Sequence, residues 1–263
     1  MPTATTDDVE LYYETDGAGE PVAFLGDVGY GAWQWGWQAP AVAGPFAAVV
    51  HDGRGVGRSD APPGPYAPAD LCSDLAAVCA AADAARPHLV GAGLGGLLAL
   101  RTALDGPVTP RSLVLLGTAA SGAELDPAPL YGDPTDDDAL RASLRAALST
   151  DFVDAHPDEL DRMVAWRRAE DADRAAFDAR VAALDALDLA DRLYEITAPA
   201  LVVHGTADAV CHPDAGRVLA EGLPRGEFLD VEAGHLVGVE ASRAVNDALV
   251  GFLESRADGS ESG

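Results

Sequence analysis

The sequence contains no lysine, and all 17 of its basic residues are arginines. They are opposed by 43 aspartates and glutamates, so the formal net charge is −26 at pH 7. A surface this acidic repels nucleic acids and anionic membranes, and neither is expected as a partner. The acidic residues are spread along the chain, which is typical of proteins adapted to a salt-rich cytoplasm. A GC-rich genome that favours Ala, Asp, Gly and Arg codons is the alternative explanation.

Cysteine is also scarce. The three cysteines, Cys72, Cys79 and Cys211, are too few and too scattered for a disulfide framework, which indicates a reducing compartment. We find no candidate transmembrane span, and the polar, acidic stretch at residues 1–10 does not resemble a secretory signal. A cytoplasmic location is therefore expected.

Short apolar runs alternate with helical patterns in two parts of the chain. This alternation predicts an α/β fold with a mostly parallel sheet that is covered by helices on both faces. The predicted strands lie at residues 9–13, 22–25, 46–51, 88–91, 113–116, 200–204 and 227–231. Two helices are predicted between strands, at 70–82 and 94–104, and a closing helix is predicted at 242–255.

The region between the two alternating parts has a different pattern. Residues 119–191 contain no convincing strand, and three helical patterns follow one another at 136–149, 157–170 and 171–187. We therefore predict one core built from residues 1–118 and 192–255, a helical cap at 119–191 and a flexible tail at 256–263.

One glycine-framed turn, Gly91-Ala92-Gly93-Leu94-Gly95-Gly96, joins a predicted strand to a predicted helix. Enzymes with the pattern G-x-S-x-G carry a nucleophilic serine at the centre of such a turn. Here the central position is Gly93, which has no side chain. The scaffold for nucleophilic catalysis is thus expected without its nucleophile.

Three further landmarks accompany this turn. The stretch at 52–60 reads DGRGVGRSD, Asp208 follows a strand and a turn, and His235 stands in an Ala-Gly-His context. In this order the landmarks resemble the α/β-hydrolase fold over about residues 9–253. The loop at residues 26–29 reads GDVG and is followed by Trp35 and Gln38. The loop and the spacing of these two residues after it are similar to the 3-oxoadipate enol-lactonase branch of the family.

The resemblance implies roles for individual residues. Asp208 would orient His235, and the imidazole would transfer protons near neutral pH. The backbone N–H groups of Val28 and Leu94 would form an oxyanion hole. Asp27 lies beside that hole, and it is either a second acid/base in the pocket or one more surface acid.

Three other residues are candidates for the pocket. Trp33 belongs to a cluster of tryptophans that lines the pocket mouth, anchors the cap or packs in the core, and Thr118 and Ser121 follow a strand whose end can border the pocket. Neither a metal site nor a cofactor motif is expected.

Without a serine, three kinds of function stay open. His235 activates a water molecule directly, or it abstracts a proton from the substrate, or the site is inactive and binds a ligand. We expect a hydrolase-like enzyme that uses the His235–Asp208 pair as a general base on a small carbonyl, lactone or ester-like substrate. A catalytically inactive protein that binds a small ligand is the alternative, and a homo-oligomer is compatible with either.

Overall fold

The computed structural model describes residues 2–257. The predicted tail at 256–263 lies almost wholly outside these residues, and its first two residues belong to the last helix. No helix of the described part of the chain combines the length and the apolar character needed to cross a bilayer.

Eight strands of residues 2–257 form one sheet, in the order β1-β2-β4-β3-β5-β6-β7-β8. β1 and β2 form an antiparallel pair, β2 is antiparallel to β4, and every other neighbouring pair is parallel. The mostly parallel α/β sheet predicted from the sequence is thereby confirmed. The strands are β1 Thr3–Thr6, β2 Val9–Gly17, β3 Glu20–Leu25, β4 Phe46–His51, β5 His88–Ala92, β6 Leu113–Leu116, β7 Ala200–Gly205 and β8 Gly226–Val231.

Within the described part of the chain, ten α-helices cover the sheet and form the insertion. The apolar side chains of α2 and α3 pack against one face of the sheet. Those of α10 pack against the other face. The helices are α1 Ala39–Val42, α2 Pro68–Ala81, α3 Leu94–Asp105, α4 Asp137–Ala147, α5 Thr150–Ala155, α6 Pro157–Glu170, α7 Arg174–Asp185, α8 Pro213–Gly222, α9 Val237–Glu240 and α10 Ser242–Ala257.

The central strands are buried along their whole length. Every residue of β5, β6 and β7 is buried, because helices cover both faces of a parallel sheet. The two faces belong to two separate core clusters, of which one extends into the cap and the other lies under α10.

The strand order reverses between β3 and β5. From β3 the chain moves outward to β4, and it then returns across β3 to form β5 on its other side. Leu25 at the end of β3 pairs with Gly91 in β5, so the loops that follow these two strands lie side by side. Ligands of open α/β sheets bind at such a reversal, beyond the carboxyl ends of the strands.

The insertion contains α4 to α7, and its two ends pair with each other. Ser121 and Asp188 form an isolated antiparallel bridge, and the Leu189 amide donates to the Ala120 carbonyl at 2.9 Å. The insertion contacts the core above the sheet reversal, where the Ala172 amide donates to the Gly29 carbonyl at 2.9 Å.

Five elements of the described chain were not predicted from the sequence, and two of them, α1 and α9, are short helices of four residues each. β1 is polar, since only Ala4 of its four residues is buried, and it is ordered by pairing with β2. α5 has no buried residue, so it carries no apolar periodicity. α8 begins at Pro213, and its alternating small and charged residues give a weak sequence signal.

Candidate active site

Gly93 occupies the sharp turn between β5 and α3. Its φ of +47° lies in the left-handed region that favours glycine. The turn is held from two sides, because the Gly93 amide donates to the Leu116 carbonyl at 3.1 Å and the Thr118 hydroxyl donates to the Gly93 carbonyl at 2.7 Å. The elbow geometry is therefore present although the serine is not.

The space above Gly93 is filled by the carboxylate of Asp27. A Cβ atom on Gly93 would overlap this carboxylate. Asp27 Oδ1 accepts hydrogen bonds from the Val28 amide at 2.6 Å and from the Leu94 amide at 3.0 Å. Because Leu94 begins α3, the carboxylate also lies at the positive end of a helix dipole. Both amides assigned to an oxyanion hole are thus bound to a side chain of the protein itself.

The other oxygen of Asp27 faces the imidazole. Asp27 Oδ2 lies 2.8 Å from His235 Nε2, in the position where a serine hydroxyl of this fold would face its histidine. Asp27 is 1% exposed. It is therefore a buried partner of His235 and not a surface acid.

Asp208 binds the opposite nitrogen of the ring. Its Oδ2 lies 2.8 Å from His235 Nδ1, and its Oδ1 accepts from the Val210 amide at 2.8 Å and the Cys211 amide at 2.9 Å. Burial acts to raise the pKa of Asp208, but His235 and His204 outweigh it, and the pKa lies well below its usual value. Asp208 is ionised at neutral pH.

His235 lies between two carboxylates. Burial by itself would lower the pKa of this imidazole, but Asp208, followed by Asp27, raises it to about 10. The ring is therefore an imidazolium at neutral pH and donates from both nitrogens. In this state it is an acid, and it becomes a base only after it loses a proton.

A glycine permits the close approach of His235 and Asp208. Gly117, with φ +52°, directly follows the carboxyl end of β6. A Cβ atom at this position would lie 3.2 Å from His235 Nδ1 and 3.3 Å from Asp208 Oδ2. The missing side chain leaves room for the imidazole–carboxylate contact.

Among the described residues, none of the other predicted pocket side chains forms a hydrogen bond with the His235 ring. Trp33 joins core to cap, because its Nε1 donates to Asp171 Oδ1 at 2.7 Å. Thr118 supports the elbow through its bond to Gly93. The Ser121 hydroxyl accepts from the Ala123 amide at 3.4 Å and caps a short 3₁₀ turn.

Like Gly117, Gln34 was not singled out from the sequence. Gln34 Oε1 accepts from the Asp27 amide at 2.9 Å and fixes the backbone of the Asp27 loop. Gln34 stands within a tryptophan-rich stretch whose pattern indicates packing, so no sequence signal singled it out. Across residues 2–257, no group of three or more His, Cys, Asp or Glu side chains has an arrangement suited to a metal ion.

Two small cavities border the Asp27 loop and His235. One of about 10 Å³ touches His235, and one of about 20 Å³ touches Gly26, which precedes Asp27. Both are far below the ~300 Å³ of an ordinary ligand pocket. A larger groove of about 350 Å³ is lined by Trp33, Trp35 and Glu170, and neither Asp27 nor His235 belongs to its walls.

Comparison with known proteins gives consistent matches along the chain. A family model described as alpha/beta hydrolase fold matches residues 24–242. A putative carbamate hydrolase RutD of Variovorax paradoxus is 34% identical over 264 residues, which cover 92% of this chain and 96% of that protein. The corresponding protein of Azorhizobium caulinodans is 29% identical and covers 96% of this chain and 98% of its own length.

Solved structures agree with this result. The enol-lactonase of Burkholderia xenovorans superposes with a TM-score of 0.85 at 26% identity, covering 96% of this chain and 100% of the other. Est816, described as an N-acyl homoserine lactone degrading enzyme, superposes with a TM-score of 0.83 at 29% identity, covering 95% and 100%. The fold, the order of elbow, acid and histidine, and these matches together establish that the chain belongs to the α/β-hydrolase fold family.

Proposed function

We propose that this protein is a hydrolase that works without a serine, and that Asp27, His235 and Asp208 form its reaction centre. The observation that carries the proposal is the position of the Asp27 carboxylate. One oxygen faces His235 Nε2 at 2.8 Å, and the other binds the two amides of Val28 and Leu94. Carboxylates serve as covalent nucleophiles in several enzyme classes.

The hydrogen bonds of Asp27 favour attack on a saturated carbon over attack on a carbonyl carbon. Attack on an ester would create a new oxyanion on the substrate, and that oxyanion needs free N–H donors. The donors at Val28 and Leu94 are already bound to Asp27 Oδ1. The tetrahedral centre that they can stabilise is therefore Cγ of Asp27 itself, during hydrolysis of an ester formed on this side chain.

The first step transfers an alkyl group to Asp27. Asp27 Oδ2 attacks a strained or activated carbon–oxygen centre such as an epoxide, the carbon–oxygen bond breaks, and the leaving alkoxide takes a proton from the His235 imidazolium. A pKa of about 10 suits this role, since the ring holds its proton until a strong base is released beside it. The products are an alkyl ester of Asp27 and a neutral imidazole.

The second step hydrolyses this ester. The imidazole is held by Asp208 and no longer faces a charged Asp27, so it accepts a proton from water while the water attacks Cγ. The negative charge on Oδ1 lies in front of the Val28 and Leu94 amides. The bond from Cγ to the alkyl oxygen then breaks, the departing alkoxide takes a proton from His235, and the remaining carboxyl proton returns to the ring. The net reaction is addition of water to the epoxide.

An inactive, ligand-binding protein is the second candidate. It is favoured by the closed state of the site, where Asp27 is 1% exposed and the bordering cavities hold only about 10 and 20 Å³. For the enzymatic function, the cap must therefore move away from the loop of Asp27 before substrate enters.

The proposal is tested by a single turnover of a small epoxide in heavy-oxygen water at high salt, with the enzyme in excess. The product should carry unlabelled oxygen, and the peptide that contains Asp27 should gain the heavy oxygen. His235→Gln loses both the proton donor of the first step and the base of the second, so the alkyl ester of Asp27 should form slowly and then persist, visible by intact mass. Asp27→Asn should abolish both signals, and exposed His212→Gln is the matched control.

Three outcomes would contradict the proposal. Heavy oxygen that appears directly in the product, with none in Asp27, would indicate attack by water activated by His235 alone. Equal turnover by wild type and Asp27→Asn would remove the carboxylate from the reaction. Complete absence of turnover and of alkylation across epoxides, lactones and esters would favour the inactive protein.

A further inference from the structure

A buried cavity of about 20 Å³ lies where the loops after β3 and β4 meet α2 and the cap helix α7. Three polar atoms of its lining residues find no hydrogen-bond partner among residues 2–257: the Tyr30 hydroxyl, His51 Nδ1 and Arg180 Nε. These residues are 2%, 9% and 3% exposed, respectively. Buried polar atoms nearly always have a partner, so three unpartnered atoms at one cavity indicate a place for a ligand.

Arg180 sets the charge of this cavity. Its Nη1 donates to the Arg54 carbonyl at 3.0 Å, and no carboxylate of the described chain lies within ion-pair distance of it. Asp74 also lines the cavity, but its carboxylate is bound to Arg54 at 2.6 and 2.7 Å, and Asp27, which also acts on the charge of Arg180, is bound to His235. Because a buried charge is costly without a counter-ion, the guanidinium favours an anion in the cavity.

The two other polar groups do not cancel this charge. Burial lowers the pKa of His51 to about 4, with Asp52 acting against that shift and Arg180 reinforcing it, so the ring is neutral at pH 7. Burial raises the pKa of Tyr30, so its hydroxyl keeps its proton and can donate it to a ligand. The cavity therefore offers a guanidinium that has no ion-pair partner among residues 2–257, and a hydroxyl donor.

The size of the cavity limits the ligand. About 20 Å³ corresponds to one or two atoms of the size of a water oxygen. This excludes phosphate and sulfate and leaves a single halide ion or the oxygen edge of a carboxylate. Gly26 lines the cavity and precedes Asp27 in the chain, so a ligand held here would lie beside the reaction centre.

We propose that this cavity binds a small monovalent anion, either a free halide or the carboxylate head of a bound molecule, through the Arg180 guanidinium and the Tyr30 hydroxyl. The site is separate from the contacts of Asp27 with His235. Binding can therefore be measured without any turnover, and it can fail or succeed independently of the proposed hydrolase reaction.

Calorimetric titration with bromide and with formate tests the proposal, with the ionic strength held constant by sulfate, which is too large for the cavity. We expect saturable binding of at least one of the two probes. Tyr30→Phe keeps the ring that packs at a tilt against Trp33 and lies under Arg167, and it should weaken binding about tenfold. Exposed Tyr194→Phe is the matched control and should bind as the wild type does.

The two probes separate the sources of the anion. Bromide alone would identify a halide site, formate alone a carboxylate site, and competition between them a site that serves both. A crystal soaked in bromide should give an anomalous peak within hydrogen-bond distance of Arg180 Nε. An ordered water in its place, no saturable binding of either probe, or unchanged affinity in Tyr30→Phe would overturn the proposal.

Discussion

Asp27 and Asp208 hold His235 from opposite sides with almost the same pattern of bonds. Each carboxylate accepts two backbone amides on Oδ1, and each places Oδ2 2.8 Å from one nitrogen of the ring. They differ in position. Asp208 follows β7, where the fold family carries its acid, whereas Asp27 follows β3 and fills the place of both nucleophile and oxyanion.

This comparison explains why the histidine of this fold is charged at neutral pH here. One carboxylate orients an imidazole and stabilises its charged form during catalysis. A second carboxylate on the other nitrogen makes the charged form the resting state. The loss of a serine at Gly93 and the presence of Asp27 therefore have to be understood together, since the carboxylate occupies the space that the serine would need.

The largest effect is expected from removing one carboxylate at a time. Asp208→Asn should cost about 3–5 kcal/mol of stability, since it leaves a buried imidazolium with one partner fewer. Asp27→Asn should cost less, because Asp208 contributes more than Asp27 to raising the pKa of His235. Chemical denaturation measures both costs, and an NMR titration of His235 should find its pKa below about 10 in each variant.

The shifted pKa values of His235 and Asp208 predict how the stability of the protein depends on pH. The pKa of His235 is raised from 6.5 to about 10, so its contribution is complete below pH 6.5 and is lost as the pH rises through 10. The pKa of Asp208 is lowered from 3.8, so its contribution is complete above pH 3.8 and is lost in more acidic solution. A wild-type protein as stable at pH 10 as at pH 6 would contradict the charged resting state.

The next effect is expected from Gly93→Ser. The new side chain would overlap the Asp27 carboxylate and would adopt a positive φ, so we expect a loss of about 2–4 kcal/mol. Combining Gly93→Ser with Asp27→Ala removes the overlap, and the double variant should be more stable than the sum of the single changes predicts.

The double variant also tests the remaining machinery. If Val28, Leu94, His235 and Asp208 are aligned as in a serine hydrolase, esterase activity should appear in the double variant and stay absent from Gly93→Ser alone. Additive stabilities of the two changes would show that Asp27 does not occupy the space of the serine.

A smaller effect is expected on the Asp208 side. Gly117→Ala would bring a methyl group to 3.2 Å from His235 Nδ1, and we expect a loss of about 1–2 kcal/mol. Because the methyl group displaces the ring from Asp208, the pKa of His235 should fall as well. Gly44→Ala is the matched control, since it has a positive φ but no atom within 4 Å of the new group. A pKa of His235 that is equal in both variants would argue against this role of Gly117.

The sequence predicted the sheet and the cap helices where hydrophobic periodicity is strong. The spans predicted for β4, β6 and α6 agree with the structure, because continuous apolar runs and a proline-led helix are local signals. β1 and α8 were missed, since their order comes from pairing with β2 and packing against β7 and β8.

The candidate site was predictable only in its parts. The sequence singled out His235, Asp208, Gly93 and Asp27 as separate landmarks. It offered two interpretations of Asp27 and could not choose between them, because burial and hydrogen bonding are not local properties. Gln34 and Gly117 were missed for the same reason, as their roles depend on which atoms lie beside them in space.

By itself, the sequence determined the fold family, the absence of a side chain at the elbow and the order of acid and histidine along the chain. Only the tertiary structure decided what fills the space above Gly93. The reversal of strand order places the loop after β3 next to the loop after β5, and the two amides there require an acceptor. Asp27 supplies that acceptor, and the resulting charge on His235 follows from a proximity that no pattern of residues expresses.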